Sequence, residues 1–258
     1  MAGSLATKSL ATDSHLINAR KPAPDQTATP ILVDTPPAPD QDGAMEKIIS
    51  FLRQGVRSGR LVPGQHLVEP DLTRQLNCSR GTLRSAIMHL AAEGMITLSR
   101  YRGARVSILD RKSIEDLLDV LENIISFAGV LACKNIEIPE NRAIIENAIA
   151  ALRPYRTDGD NAGFLQKRQA FYDALVTASG NTELRHIMPT PRADLLRVQL
   201  MASRTSQNRK QHIDGYFAIA KAVLSGNVKK VERAVKQHVD STRAALKEIP
   251  DEAFPHAD

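Results

Sequence analysis

The sequence predicts a mainly α-helical protein in which a winged helix-turn-helix, three helices plus a β-hairpin wing, precedes an all-α helical bundle. Three observations lead to this prediction. Apolar residues recur at helical spacing in most segments from about residue 45 onward. One segment, at 95–109, instead alternates around a glycine, and positive charge is concentrated before residue 110.

The chain of 258 residues is long enough for two compact domains with flanking segments. Residues 1–44 contain six of the fourteen prolines and no sustained periodicity, so we expect a disordered N-terminal tail. We expect the winged helix-turn-helix at 45–110, the helical bundle at 111–248 and a short C-terminal tail at 249–258.

The first predicted domain begins with an amphipathic helix in MEKIISFLRQGVRSG. A second, short helix is expected from about Glu69 to Asn77, with Pro70 as its first helical residue and Glu69 as its N-cap. Ser79 is a good N-cap for a third helix. The segment MITLSRYRGARVSIL alternates on both sides of a turn that contains Gly103, which predicts a two-stranded ribbon.

The second predicted domain has helical periodicity from Arg111 to about Glu248. Its first helix, SIEDLLDVLENIISFAGVLAC, carries a broad apolar stripe that is typical of a buried face. Further helices are expected at 139–153, 160–178, 182–203, 208–224 and 228–247, and Pro189 and Pro191 are expected to break the one at 182–203. The pattern predicts an all-α bundle.

The net charge of +5 is confined to one quarter of the chain. Residues 45–110 contain ten Lys or Arg and five Asp or Glu, so this segment alone has the whole +5 and the remainder sums to zero. A basic domain beside a neutral one indicates a polyanionic partner for the basic domain, with double-stranded DNA as the candidate.

Several classes of protein are disfavoured by the same sequence. The longest apolar run, at 127–133, is far too short to cross a bilayer, and the N-terminus has no apolar signal segment. Cys78 and Cys133 have no motif spacing, which favours two reduced thiols in a cytoplasmic protein. We find no phosphate loop and no nucleophile elbow, so an enzyme is the weaker hypothesis.

The third helix of the first domain separates into two faces when it is rotated at 100° per residue. Apolar residues fall on one side, and Gly81, Arg84 and Ser85 fall on the other, with Arg80 beside Arg84. Free N–H groups after the Ser79 cap would favour a phosphate, and Arg84 could reach a guanine in the major groove. The predicted DNA-binding residues are Ser79, Arg80, Gly81, Thr82, Arg84, Ser85, Arg100, Arg102 and Gly103.

A solvated helix face is the alternative interpretation of these arginines. That alternative must also account for a short helix just before them and a basic ribbon just after them. In the ribbon, Arg100, Arg102 and Arg105 surround Gly103, so its tip could follow the DNA backbone or enter a minor groove. The three elements together favour DNA binding.

The same residues carry a family resemblance. SGRLVPGQHLVEPDLTRQLNCSRGTLRSAIMHLAAEGMITLSRYRGARVS resembles the GntR-type winged-helix regulators, including the approach from Gly59 to Leu72 and the SRxxxR opening of the recognition helix. The bundle, through AFYDALVTASGN and AIAKAVLSGNVKKVERAVKQHV, resembles the all-helical FCD effector domain of the FadR branch. The resemblance implies a transcription regulator that binds a palindromic operator as a homodimer and responds to a small molecule.

In the effector domain the resemblance implies a metal held by one Asp and three His. The matching positions here are Arg168, Tyr172, Tyr216 and His238, so one ligand of four remains. His212 lies one turn before Tyr216, but two imidazoles alone make a weak site. We therefore expect no metal and no other cofactor.

On the first bundle helix, Leu121 and Ile125 replace the Arg and Glu that the resemblance implies on the cavity wall. We expect an effector site formed by Leu121, Ile125, Arg168, Tyr172, Tyr216 and His238, with Arg168 as the anchor for a small organic acid. Two alternatives remain at this point. The cavity could be filled, which would make the protein a constitutive dimeric DNA-binding protein, or Arg168 could face solvent.

Overall fold

The computed structural model describes residues 43–101, 103–157, 160–201, 206–251 and 254. Most of the predicted N-terminal tail at 1–44 and the predicted DNA-binding residue Arg102 lie outside these ranges. Within them the protein is mainly helical, with one small sheet whose hairpin follows the first three helices, as the sequence predicts.

The first domain contains three helices and three short strands. They are α1 (Ala44–Arg57), β1 (His66–Leu67), α2 (Glu69–Leu76), α3 (Arg80–Ala92), β2 (Ile96–Ser99) and β3 (Gly103–Val106). The helices close over a core in which Leu52, Leu72, Leu83 and Ile87 are at most 1% exposed. Burial of each such side chain contributes about 1.5–3 kcal/mol, and several of them together hold α3, the predicted recognition helix, against the rest of the domain.

The sheet differs from the predicted two-stranded ribbon. β1 adds a third strand, so the order is β1-β3-β2, with His66 opposite Arg105 and Leu67 opposite Ala104. Two residues are too few to show an alternating pattern, so the sequence gives no signal for this strand. The predicted cap of α2 is also one residue off, since Val68 is the N-cap and Glu69 is already helical.

The second domain is an all-α bundle. Its helices are α4 (Arg111–Lys134), α5 (Pro139–Ala150), a 3-10 helix (Arg153–Arg156), α6 (Asn161–Ser179), α7 (Leu184–Ile187), α8 (Thr190–Met201), α9 (Ser206–Leu224) and α10 (Val228–Lys247). The helical segment expected at 182–203 is interrupted as predicted: it forms α7 and α8 with a break at Pro189, whose ring and missing N–H interrupt a helix. α4 packs against both α6 and α10, and α10 also packs against α9.

Ile249, Asp251 and Phe254, which lie in the predicted C-terminal tail at 249–258, pack onto the start of α4. Arg111 donates to Asp251 at 2.6 Å and to the carbonyl of Ile249 at 2.6 Å. Its guanidinium also lies 4.7 Å from the ring centre of Phe254, which is 7% exposed. An aromatic ring and an acid that meet the start of α4 give this segment a reason to be ordered.

Helix α8 is where the bundle meets the first domain. Asp194 accepts a hydrogen bond from Arg57 of α1 at 2.6 Å. Gln199 bonds both the N–H and the carbonyl of Leu109, in the linker, at 3.0 and 2.8 Å. Gly94, just beyond α3, lies against the side chain of Arg192. Three contacts from one helix therefore tie the two domains together.

No helix in the described ranges is long and apolar enough to cross a membrane.

Candidate nucleic-acid interface and buried polar cluster

The N-terminus of α3 is exposed and capped. Ser79 accepts a hydrogen bond from the N–H of Thr82 at 3.0 Å, and its hydroxyl lies 2.8 Å from the Thr82 hydroxyl. Asn77, with φ of 45°, is the left-handed residue that turns the chain from α2 toward α3. Because one cap satisfies only one of the first-turn N–H groups, the others can meet an anion.

The two faces of α3 are those that the sequence predicts. Leu83, Ala86, Ile87 and Leu90 are fully buried against the first domain. The outward side chains are exposed, and they belong to Arg80, Arg84, Ser85, Met88 and His89. Gly81 is exposed and Thr82 is half-buried, so the whole predicted set on this helix lies at one accessible surface.

Ion pairs at the C-terminal end of α3 fix the orientation of this helix. Glu93, which caps the helix C-terminus, accepts from Arg53 of α1 at 2.5 Å. His89 lies 3.3 Å from the same carboxylate. These contacts lie at the end of α3 away from Ser79, so they orient the helix without covering its N-terminal surface.

The wing is a tight hairpin whose tip is exposed. Ser99 and Gly103 are opposite one another, and Gly103 has φ of +70°, a conformation that glycine adopts without strain. Arg100 is exposed and Tyr101 is 90% exposed between these two residues. The hairpin tip therefore presents a cationic and an aromatic side chain to solvent.

The outward arginines of this surface are not neutralised by the protein itself. In the described ranges, Arg80, Arg84 and Arg100 have no carboxylate within ion-pair distance, whereas Arg74 nearby pairs with Asp71 at 3.3 Å. Unpaired cations beside free helix N–H groups attract a polyanion. The arrangement can bind a phosphate backbone and read base edges.

A second concentration of functional groups is buried inside the bundle around Arg168. This side chain, on α6, is 1% exposed. Its Nε donates to the Tyr216 hydroxyl at 3.1 Å, its Nη1 donates to Asp194 at 3.0 Å, and its guanidinium lies 4.8 Å from the ring centre of Tyr172. Arg168 therefore points inward and not into solvent, and it already has an ionic partner.

Tyr216 lies at the centre of a set of packed rings. His212 Nε2 is 3.0 Å from its hydroxyl, and His212 stacks on His238 with ring centres 4.5 Å apart. Tyr172 meets Tyr216 edge-on with ring centres 5.9 Å apart. Gly215 is required beside this set, because a Cβ there would lie 2.1 Å from the imidazole of His238. The structure thus brings Tyr172, Tyr216 and His238 together, as the resemblance to the FCD domain implied.

Leu121 and Ile125 are 3% and 2% exposed on the inner face of α4. They belong to the same apolar core as Tyr172 and Tyr216. Burial raises the pKa of the Tyr172 hydroxyl, which keeps this phenol protonated and able to donate.

Two charged residues on α8 were missed by the sequence reasoning. Asp194 is fully buried and lies between Arg168 and Arg57, and Arg197, one turn later, is 3% exposed. Burial is the main reason that the pKa of Arg197 lies below its ordinary value, and the nearby charge of Arg168 lowers it further. The signal in the sequence is an acid and a base three residues apart within the apolar segment ADLLRVQL.

Two family models match the chain in the same order as its domains. The model described as bacterial regulatory proteins, gntR family, matches residues 44–106, and the model of the FCD domain matches residues 116–241. The chain belongs to the GntR family. It is a DNA-binding transcription regulator of that family with an FCD effector domain, and FCD domains bind small-molecule effectors.

Similar proteins are distant in sequence. A probable D-xylose utilization operon transcriptional repressor of Paenarthrobacter nicotinovorans is 23% identical over 193 residues, 75% of this chain and 84% of the relative. The Nta operon transcriptional regulator of Aminobacter aminovorans is 30% identical over 128 residues, 47% of this chain and 57% of the relative.

Solved structures show the same fold. E. coli McbR/YncC has a TM-score of 0.68 at 17% identity, over 80% of this chain and 97% of that structure. A GntR-type regulator from Rhodococcus sp. RHA1 also has a TM-score of 0.68, at 19% identity, over 80% of this chain and 99% of that structure.

The metal site that the FCD resemblance implies does not fit the side chains of this GntR-family protein. Arg168 occupies the position of the acidic ligand, and its cationic guanidinium bonds Tyr216 at the third ligand position. A fixed positive charge and two phenols make a poor donor set for a divalent ion. In the ranges that the structure describes, no three His, Cys, Asp or Glu side chains are grouped as metal ligands would be.

Proposed function

We propose that this GntR-family protein is a repressor that binds a palindromic operator as a homodimer, and that a small organic acid bound in the FCD domain modulates that binding. The observation that carries the DNA-binding part is the exposed, capped N-terminus of α3, where Arg80 and Arg84 have no acidic partner in the described chain. The Paenarthrobacter relative is named a probable repressor, which supports the sign of regulation.

In this proposal the residues of the interface divide into two groups. Arg84 and Ser85, one turn into α3, reach base edges in the major groove. Ser79, Arg80, Gly81 and Thr82 place the helix N-terminus on a phosphate. The wing, through Arg100, Arg102 and Gly103, holds the backbone or enters the adjacent minor groove. Selection of binding sites from a random DNA pool tests this: a two-fold symmetric consensus supports it, and equal binding of all sequences contradicts it.

A homodimer is favoured by an exposed apolar stripe on α4. Val120 and Phe127 are 48% and 50% exposed, and Ile124 and Leu131 beside them are half-buried. Their spacing of four, three and four residues is the seam spacing of paired helices, and a second copy of α4 would cover it. Sedimentation of the full chain at micromolar concentration should give a dimer, and Phe127→Glu should shift it toward monomer. A wild-type monomer would contradict this part.

The effector part rests on the buried polar cluster. An apolar core rarely contains two arginines, two histidines and two tyrosines together, and perturbed groups of this kind gather at binding sites. The proposed contacts are Leu121 and Ile125 for the apolar body of the ligand, and Arg168, Tyr172, Tyr216 and His238 for its polar end.

One observation favours the alternative of a constitutive DNA-binding protein. Arg168 is already paired with Asp194 and bonded to Tyr216, so the cluster could serve only to hold the bundle together. The two functions differ in one measurement. Operator affinity that changes by about 5- to 150-fold when a small acid is added supports the regulated protein. Affinity that no small molecule changes supports the constitutive one.

A further inference from the structure

Positive charge exceeds negative charge in the buried cluster. Asp194 is fully buried and accepts from Arg168 at 3.0 Å and from Arg57 at 2.6 Å. Arg197 lies one turn further along α8, and in the described chain it has no carboxylate within ion-pair distance. The two buried guanidinium groups of Arg168 and Arg197 thus have one buried carboxylate between them, whereas the side chain of Arg57 is 21% exposed and reaches water.

Arg197 is the arginine of this group whose hydrogen-bond donors are least satisfied. It is 3% exposed, its Nη1 donates to the Thr242 hydroxyl at a long 3.3 Å, and its Nε is buried without a hydrogen-bond partner in the described ranges. Arginine stays charged at physiological pH, and burial of an uncompensated charge is strongly unfavourable. An anion from outside the chain would supply both the missing charge and the missing acceptor.

We propose that Arg197 binds the carboxylate of the effector. This proposal rests on the proposed function and identifies the residue that anchors the ligand. Arg168 then acts as a positioning residue, because Asp194 and Tyr216 already engage it. Thr242 accepts from Arg197 through its oxygen, so its hydroxyl proton can be donated to the second carboxylate oxygen. Charge-assisted bonds of this kind are the strong ones in a dry site.

The surroundings select a monocarboxylate with an apolar body. One uncompensated guanidinium matches one negative charge, whereas a phosphate dianion would bring a second charge that the site does not balance. The rings of Tyr172 and Tyr216, whose centres are 5.9 Å apart, suit an aliphatic or aromatic body, and Leu121 and Ile125 are buried on α4, which packs against the helix that carries Tyr172.

The test measures the unfolding temperature of the full chain with acetate, butyrate, benzoate and phenylacetate at equal millimolar concentrations. The corresponding primary amides have nearly the same shape without the charge, and sodium chloride and inorganic phosphate at matched ionic strength control for anions in general. We expect at least one acid to raise the unfolding temperature, and its amide, chloride and phosphate to leave it unchanged.

Two substitutions of Arg197 distinguish a residue that anchors the ligand from one that only stabilises the fold. Arg197→Met should leave the ligand-free unfolding temperature unchanged or higher, because methionine fills the space without an unpaired charge. The same variant should weaken binding of the active acid about tenfold or more. Arg197→Lys should retain part of the binding. Arg233→Met, an exposed arginine on α10, is the matched control and should bind as wild type does.

Several results would overturn the assignment. These are the absence of a shift with every acid, an equal shift with amide or phosphate, and undiminished binding by Arg197→Met. Failure of Arg197→Met to fold would also contradict it, because the arginine would then be satisfied within the protein. Operator binding measured on the same samples keeps the two proposals apart, since loss of acid response with intact operator binding rejects only the anchor.

Discussion

The two domains use arginine in opposite ways. On the recognition helix, Arg80 and Arg84 are exposed and have no acidic partner in the described chain, so water solvates them until a polyanion arrives. In the FCD domain, Arg168 and Arg197 are almost fully buried. An exposed cation costs little to maintain, whereas a buried one must be compensated by an acid, by aromatic rings or by a ligand. The exposed arginines are therefore available to a polyanion, whereas the buried ones are available only to groups that enter the core of the bundle.

Asp194 contacts one arginine from each domain. Its carboxylate bonds Arg168 inside the bundle and Arg57 at the end of α1, and α1 in turn holds the recognition helix through Arg53 and Glu93. A change of charge beside Asp194 therefore has a route of direct contacts to the DNA-binding surface. Such a route makes the comparison between the domains testable by single substitutions.

The largest effect is expected from Asp194→Ala. Removal of the buried carboxylate leaves Arg168 without its counter-charge, so the free energy of unfolding should fall by about 3–5 kcal/mol. Urea unfolding at neutral pH measures it, and Asp194→Asn should be less damaging because the amide can still accept. The control is Asp214→Ala, which removes an ion pair of 2.6 Å with Arg156. Both side chains of this pair are exposed, Arg156 by 41% and Asp214 by 38%. That control should cost under about 1 kcal/mol, and equal losses would contradict the distinction between buried and exposed pairs.

The second effect concerns DNA affinity. Arg84→Ala should weaken binding to the selected operator by about 1–3 kcal/mol and relax base preference at one position per half-site. Arg100→Ala, on the wing, should weaken operator and random DNA alike and flatten the dependence of affinity on salt. Both are measured by titration of labelled duplexes at several salt concentrations. The same ratio of operator to random affinity in the two variants would refute this division of roles.

The smallest effect concerns the linker between the domains. Asp110 caps α4 by accepting from the N–H of Ser113 at 2.6 Å, and this bond holds the pKa of its carboxyl below the usual range. A lowered acid pKa contributes stability above the unfolded pKa, and that contribution is lost as pH falls through the folded pKa. Asp110→Ala should therefore cost about 1 kcal/mol at pH 7 and progressively less below about pH 4.

Unfolding of Asp110→Ala and wild type across pH checks this prediction. Asp116→Ala, one turn into the same helix, removes an exposed pair with Lys112 and is the control. A cost for Asp110→Ala that does not diminish in acid would show that the carboxylate charge is not what stabilises the cap.

The sequence predicted most of the fold because helical periodicity is a local property. The positions of the recognition helix, its Ser79 cap, its two faces and the long helices of the bundle all follow from residues within one or two turns of each other. The two-residue strand β1 was missed, since two residues are too few to show a period, whereas the break between α7 and α8 was predicted because Pro189 and Pro191 interrupt a helix.

The sequence by itself determined which surface carries unpaired positive charge, and helical spacing placed Arg168 and Tyr172 on one face of α6. That these two side chains meet Tyr216 and His238 was implied by the family resemblance. Only the tertiary structure decided which of the buried cations is compensated. Asp194 reaches Arg168 across 26 positions and Arg57 across 137, and no local pattern relates such residues. Pairing between distant side chains depends on how helices pack, and packing is set by the whole core at once.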